Sequence, residues 1–304
     1  MTKYLTLQSN FFIVITLISL FFSLLAPGVI NVFNILSLVL VIAIFGLPHG
    51  ALDTLFAKKA FLLSTKSSWL IFISAYLLLS ALVLAFWLLL PSFFFILFLG
   101  FSAAHFSDDL GENQPALRLA LYGINIITLP SILYSYDLTV LYGYFIGNTY
   151  NVNIVNVMKP LAIISGLLTI WITFIYFSKN KDNNDERSIL ELIVVSALML
   201  LVKPLLAFTI YFCLMHSARH IIRAKFYFNE YSNTTMQFTL VIPTLSVLVF
   251  CLLIFQLLPI GKVDENLIKV TFAVLAALTF PHAFLLGKVG FIKWIRSYSA
   301  KHVL

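Results

Sequence analysis

The chain has 304 residues, of which 61% are hydrophobic and 10% charged, and its mean hydropathy is +1.02. A water-soluble globular chain carries roughly 25% charged residues, so there is too little polar side chain here to cover a solvated surface, and lipid must be the solvent. The formal net charge of +7 is scattered through short segments between apolar runs, which excludes a folded nucleic-acid-binding face.

Crossing a bilayer core takes about 20 apolar residues. The first run, Phe11 to Ala26, lacks a clear small-x-small cleavage site and is followed at once by further apolar runs, so it reads as a retained span. Spans are predicted near 10–26, 29–47, 69–90, 92–107, 117–134, 161–178, 189–202, 205–223, 237–258 and 268–287. Two are short, 92–107 and 189–202, which leaves the count between eight and ten. Pro91 and the Lys203-Pro204 pair are expected breaks, because proline lacks a backbone donor and clashes with the preceding turn. Between the fifth and sixth spans, Tyr134, Tyr136, Tyr142, Tyr144 and Tyr150 mark an interfacial aromatic segment with room for a short half-helix. Lys179 to Arg187 reads as a polar loop. The fold class is therefore all-α: a polytopic transmembrane bundle forming one integral-membrane domain over 1–304.

With ten spans and the N-terminus inside, fifteen of the nineteen Lys and Arg residues fall in cytoplasmic segments. This positive-inside bias predicts a multi-pass protein of the cell membrane with both termini cytoplasmic. Cys213 and Cys251 lie far apart within apolar runs and read as small packing residues.

Five of the six histidines, His49, His105, His216, His220 and His282, then fall near the cytoplasmic ends of even-numbered spans. A shared depth is what a metal site between helices requires. In "CLMHSARH", His216 and His220 stand four apart, on one helix face, where they can chelate one ion. Two buried imidazoles side by side are costly without partners, which favours a metal over two core histidines. His105 precedes Asp108 and Asp109, and a ligating imidazole normally donates its other N–H to a carboxylate or carbonyl. In "GLPHGALD", Pro48 interrupts the helix, Gly50 permits close approach, and Asp53, one turn on, is placed to orient His49. His282 in "FPHAF" could be a fifth ligand, an outer contact or packing. His302 is assigned no role, and Arg219 reads as an interfacial anchor. Imidazoles without thiolate suit iron, copper or zinc, and a four-histidine site with an open position at membrane depth suits Fe(II) and O2 chemistry on a lipophilic substrate.

"GLPHGALD" (46–53), "HFSDDL" (105–110), "CLMHSARH" (213–220) and "FPHAF" (280–284) together resemble the motifs of the bacteriorhodopsin-related-protein/Blh family of membrane β-carotene 15,15′-dioxygenases. The resemblance spans most of the chain, with the four motifs in family order. It implies an Fe(II)-dependent enzyme that cleaves the central double bond of β-carotene with O2 to give two molecules of retinal, the chromophore of microbial rhodopsins. Carried over motif by motif, it implies His49, His105, His216 and His220 as iron ligands. Asp53, Asp108, Asp109 and His282 are candidates for orienting them. The residues alone leave two other readings open. One is another membrane metal oxygenase or desaturase, whose diiron members need more histidines than the six present. The other is a haem- or quinone-binding or transport protein, for which Glu191 and Lys203 would be the intramembrane charges, although interfacial placement explains both more simply.

Overall fold

A computed structural model describes residues 1–30, 33–111, 114–179, 183–259 and 262–291. Among these the chain is helical throughout, and nine helices are long and apolar enough to cross a membrane. They are α1 (Thr2–Leu25), α2 (Ile35–Phe61), α3 (Lys66–Leu89), α4 (Pro91–Leu110), α5 (Ala116–Leu133), α7 (Asn151–Ile175), α9 (Pro204–Tyr227), α10 (Asn233–Gln256) and α11 (Val263–Lys288). Between them lie a 12-residue helix α6 (Ser135–Ile146) and a 19-residue helix α8 (Asn183–Leu201). The chain is thus a multi-pass membrane protein.

The departures from the predicted spans have local causes. Pro91 and Pro204 do break the chain, each occupying the first turn of a new helix, where its missing N–H costs nothing. The span expected at 161–178 begins at Asn151 and carries Pro160 within it, while the tyrosine-rich stretch before it supplies α6. Helix α8 corresponds to the short span expected at 189–202, but it also takes up "NNDER" (183–187), expected as loop. Those charges keep it out of the nine. Helix α2 shows the largest difference. It does not stop at Pro48 but continues to Phe61, because the turn before the proline widens: the Leu47 N–H reaches back five residues to the Ile42 carbonyl at 3.0 Å.

Helices α9 and α11 are the most enclosed, while α3 and α10 present most of their surface outward. In lipid the most apolar helices face outward, and the less apolar α9 and α11, which carry His216, His220 and His282, take the interior. Polar bonds tie the surrounding helices to one another. Arg187 of α8 donates to the Thr6 carbonyl and to Asn10 of α1, and Asn125 of α5 donates to Thr169 of α7 at 2.8 Å. Trp87 of α3 donates to the Phe145 carbonyl of α6 at 3.1 Å. Helices α4 and α5 meet closely at Gly123, where any side-chain carbon would overlap the Ala103 carbonyl.

Candidate metal centre

A second widened turn, Tyr211–Ser217, lies in α9 and packs against that of α2. Such turns leave carbonyls outside the regular ladder, and side chains take them up. The Ser217 hydroxyl lies 2.7 Å from the Phe45 carbonyl and 3.1 Å from that of Gly46, and Cys213 Sγ lies 3.6 Å from the Val41 carbonyl. The histidines of both helices are thereby held at one level.

His49, His105, His216, His220 and His282 are all buried and form one cluster. Ring centroids stand 5.0 Å apart for His49 and His216, 5.5 Å for His49 and His220, and 5.2 Å for His49 and His282. His105 is 4.8 Å from His216, and His220 is 5.1 Å from His282. Ring nitrogens of His49, His105 and His282 lie within 4.8 Å of one another, close enough for these three to hold a metal ion.

Hydrogen bonds occupy the Nδ1 of three of the rings and leave the Nε2 for another partner. The Gly46 carbonyl can only accept, so the Nδ1 of His49, 2.6 Å away, carries the proton and Nε2 keeps its lone pair. His216 Nδ1 lies 2.8 Å from Asp109 Oδ2, which also accepts from the Tyr211 hydroxyl at 2.6 Å. His282 Nδ1 lies 2.6 Å from Asp53 Oδ1, while the other oxygen of Asp53 accepts from Tyr76 at 2.7 Å. The Nε2 atoms of His216, His220 and His282, and both nitrogens of His105, are buried without a hydrogen-bond partner.

Three expectations change. Asp53 orients His282, across the bundle on α11, rather than His49, because the widened turn gives His49 a backbone acceptor of its own. Of the two aspartates after His105, Asp109 holds a ring, and the ring is that of His216; Asp108 accepts from Arg223 through its carbonyl. Arg219 is no interfacial anchor. It is buried, paired twice with Glu191 at 2.7 and 3.0 Å, and bonded to Gln8 and to the Asp109 carbonyl. Glu191 is buried with it, so neither charge sits at a surface. Cys213 is a buried packing residue as expected, Cys251 is half-buried, and both are free. His302 lies outside the described residues. The sequence reading missed Tyr76, Tyr211, Gln8 and the Glu191–Arg219 pair. Their one visible signal is that polar side chains in apolar spans need partners.

An apolar cavity opens on one side of the cluster. His49, His105 and His216 line its end, and its walls include Phe95, Phe98, Phe145, Phe208, Phe212 and Phe272. Among the described lining residues there is no carboxylate, lysine or thiol. On the opposite side the cluster is capped by rings: Phe291 stands 5.2 Å and Phe56 5.8 Å from His220.

Comparison with curated proteins and with solved structures finds no match. A protein-family model described as "Beta-carotene 15,15'-dioxygenase" matches residues 40–289, which contain all five clustered histidines, both ring-holding aspartates and the cavity. With a match over most of its length, the chain belongs to the β-carotene 15,15′-dioxygenase family.

Proposed function

We propose that this protein is an iron-dependent oxygenase of the cell membrane that cuts β-carotene at its central double bond with O2, giving two molecules of retinal. The observation that carries this reading is the clustering of five buried imidazoles beside a phenylalanine-lined cavity that three of them line, four of the five with an unpartnered Nε2. Each buried polar atom left without a partner costs about 1–3 kcal/mol. A divalent cation held by His49, His105 and His282, whose ring nitrogens lie within 4.8 Å of one another, would sit beside the other two rings and give these atoms a partner. The set contains no thiolate, and all-imidazole donors beside an apolar cavity, in a chain of a dioxygenase family, favour Fe(II) over structural zinc. Five rings packed at 4.8–5.5 Å leave no planar slot for a macrocycle, which argues against haem.

His49, His105, His216 and His220 are the proposed ligands, and His282 joins them on the strength of its unpartnered Nε2 and its place in the three-histidine group. Bound iron would supply activation of O2, the part of the chemistry that amino-acid side chains lack. The protein's own part is to hold, align and keep dry. Asp109 and Asp53 fix the tautomers and orientations of His216 and His282. His49, His105 and His216 face the cavity, so the double bond to be cut would lie against that side of the cluster. A hydrocarbon polyene offers no hydrogen-bonding handle, and dispersion against flat rings suits it. One double bond and one O2 become two aldehydes, so the overall balance requires no added proton donor or acceptor. The Lys and Arg distribution supports a position for the centre near the cytoplasmic side. Retinal formed there would be released within the membrane, where a microbial rhodopsin is a fitting recipient.

The test is expression in β-carotene-producing cells, where orange colour should fade as retinal appears. His220→Ala should abolish retinal while the protein stays in the membrane. Full activity of that variant with unchanged iron content would remove His220 from the ligand set, and persistence of β-carotene with the unaltered protein would overturn the function.

A further inference from the structure

The cavity shares a wall with a second hollow. Helices α4 and α5 line the cavity with one face, and with the other they line an almost wholly apolar groove closed on its far side by α7. Phe93, Ile96 and Val157 on the groove are exposed apolar side chains of membrane-spanning helices, so the groove opens toward the bilayer.

Two residues line both hollows, Leu99 of α4 and Ile127 of α5. Their position follows from the helix register. The two helices are pinned where Gly123 meets the Ala103 carbonyl. Leu99 is one turn before Ala103 and Ile127 one turn after Gly123. In consecutive, oppositely running helices both steps lead the same way, about 5.4 Å beyond the pin. The partition at that level is two half-buried aliphatic side chains, with no polar bond to open. Next to Leu99, Gly100 is exposed on the groove, and a carbon added there meets nothing within 4 Å. A mid-helix glycine weakens the helix relative to alanine, and no steric demand of the fold explains it here. Open space on the groove floor is its consequence.

The geometry points to a lateral portal: the polyene enters from the bilayer through the groove between α4, α5 and α7 and passes Leu99 and Ile127 into the cavity. This rests on the proposed carotenoid-cleaving function. It assigns selection of long, apolar polyenes to a step before the metal, at residues remote from the histidines.

The test places the full-length, iron-loaded protein in phosphatidylcholine vesicles containing β-carotene and compares Gly100→Ala, Gly100→Trp and the pair Leu99→Ala with Ile127→Ala. Gly100→Trp should lower kcat/KM for retinal formation at least about tenfold with kcat and iron content preserved, because it obstructs loading and leaves chemistry intact. Gly100→Ala should match the unaltered protein, and the widened pair should load faster. The second readout is β-carotene retained per protein after purification from carotenoid-producing cells. If retinal forms and Gly100→Trp has an unchanged kcat/KM, the portal is wrong while the function stands. If no retinal forms but retained carotenoid falls in Gly100→Trp and not in Gly100→Ala, cleavage is wrong and the portal stands. If no retinal forms, equal retention across all variants, or none in any, means that the groove holds membrane lipid only. Should Gly100→Trp not fold, an unchanged loading rate in the widened pair overturns the portal.

Discussion

One oxygen of Asp109 accepts both the Nδ1–H of His216, at 2.8 Å, and the hydroxyl of Tyr211, at 2.6 Å. Tyr211 thus holds the carboxylate that holds the ring, and the ring's remaining nitrogen is buried without a hydrogen-bond partner. Arg219, on the same helix, donates to the Asp109 carbonyl and ties the backbone of that aspartate to α9. The aspartate is therefore fixed by side chain and main chain from one neighbouring helix.

Asp109→Asn keeps the size of the group but removes its charge and one acceptor. Loss of such an outer partner typically weakens metal binding about 10–100-fold. Titration of the metal-free variant with Fe(II) should show that loss while the protein remains folded. Unaltered affinity would mean that His216 needs no carboxylate to bind.

Asp53 makes the corresponding pair with His282 and Tyr76, using a different oxygen for each. Tyr76→Phe removes one hydrogen bond, about 0.5–1.5 kcal/mol, and leaves the Asp53–His282 contact in place. A loss in iron affinity of roughly tenfold or less is expected, that energy corresponding to about 1.4 kcal/mol per decade. Asp53→Asn and His282→Ala should each lose more, and by similar factors. If His282→Ala keeps full iron and activity, the ring only packs, and the fifth position in the ligand set falls.

How much of this could be read from the chain depends on whether the relationship runs along one helix or between two. His216 and His220 share a helix, and their spacing announces a site. The common depth of His49, His105 and His282 follows from counting spans. The partners of those rings are another matter: Asp53 and His282 are 229 residues apart and Asp109 and His216 are 107 apart. Nothing in a span's periodicity says which neighbour it will face. Sequence adjacency was even misleading, since it paired Asp53 with His49 and put Arg219 at the membrane surface. The bend at Pro48 was visible, but not its form. A proline removes one donor, and whether the helix stops or widens depends on what takes up the freed carbonyls. Here Ser217, reaching across from α9, takes them up.

The Arg219–Glu191 pair is buried on both sides, and magnitudes separate the two accounts of it. An exposed pair contributes about 0–1 kcal/mol. Breaking a buried one costs about 3–5 kcal/mol when the charge is left stranded, and here the remaining partner of Glu191 is the half-exposed Arg187 at 3.8 Å. Arg219→Met should therefore lower the stability of the detergent-solubilised protein by the larger amount, read from denaturant or thermal unfolding. Adding Glu191→Gln to Arg219→Met should recover much of it, because the stranded charge is then gone. A loss below 1 kcal/mol in the single variant would return Arg219 to the role of a surface anchor.

Gly46 gives the sharpest steric prediction. A Cβ there would lie 2.5 Å from Cε1 and 2.8 Å from Cδ1 of Phe212, closer than real carbon atoms approach. Phe212 is a rigid ring with no flexible end to move aside. It lies over His216 at a centroid distance of 5.6 Å and a 17° tilt, and meets His49 edge-on at 5.4 Å. Gly46→Ala must therefore turn the Phe212 ring or push α2 from α9, and either shifts two of the proposed ligands together. A displacement near 1 Å at a reacting centre can cost about 100-fold in rate. Gly46→Ala is expected to lose at least about tenfold in kcat with the protein still in the membrane. Phe212→Leu, which removes the carbon atoms in the way, should restore most of the lost rate in the Gly46→Ala background while lowering activity modestly on its own. That non-additivity is the signature of direct contact. Rates of retinal formation for the four proteins of the cycle decide the matter: independent effects would show that the glycine serves only the widened turn and that Phe212 does not transmit its position to the histidines.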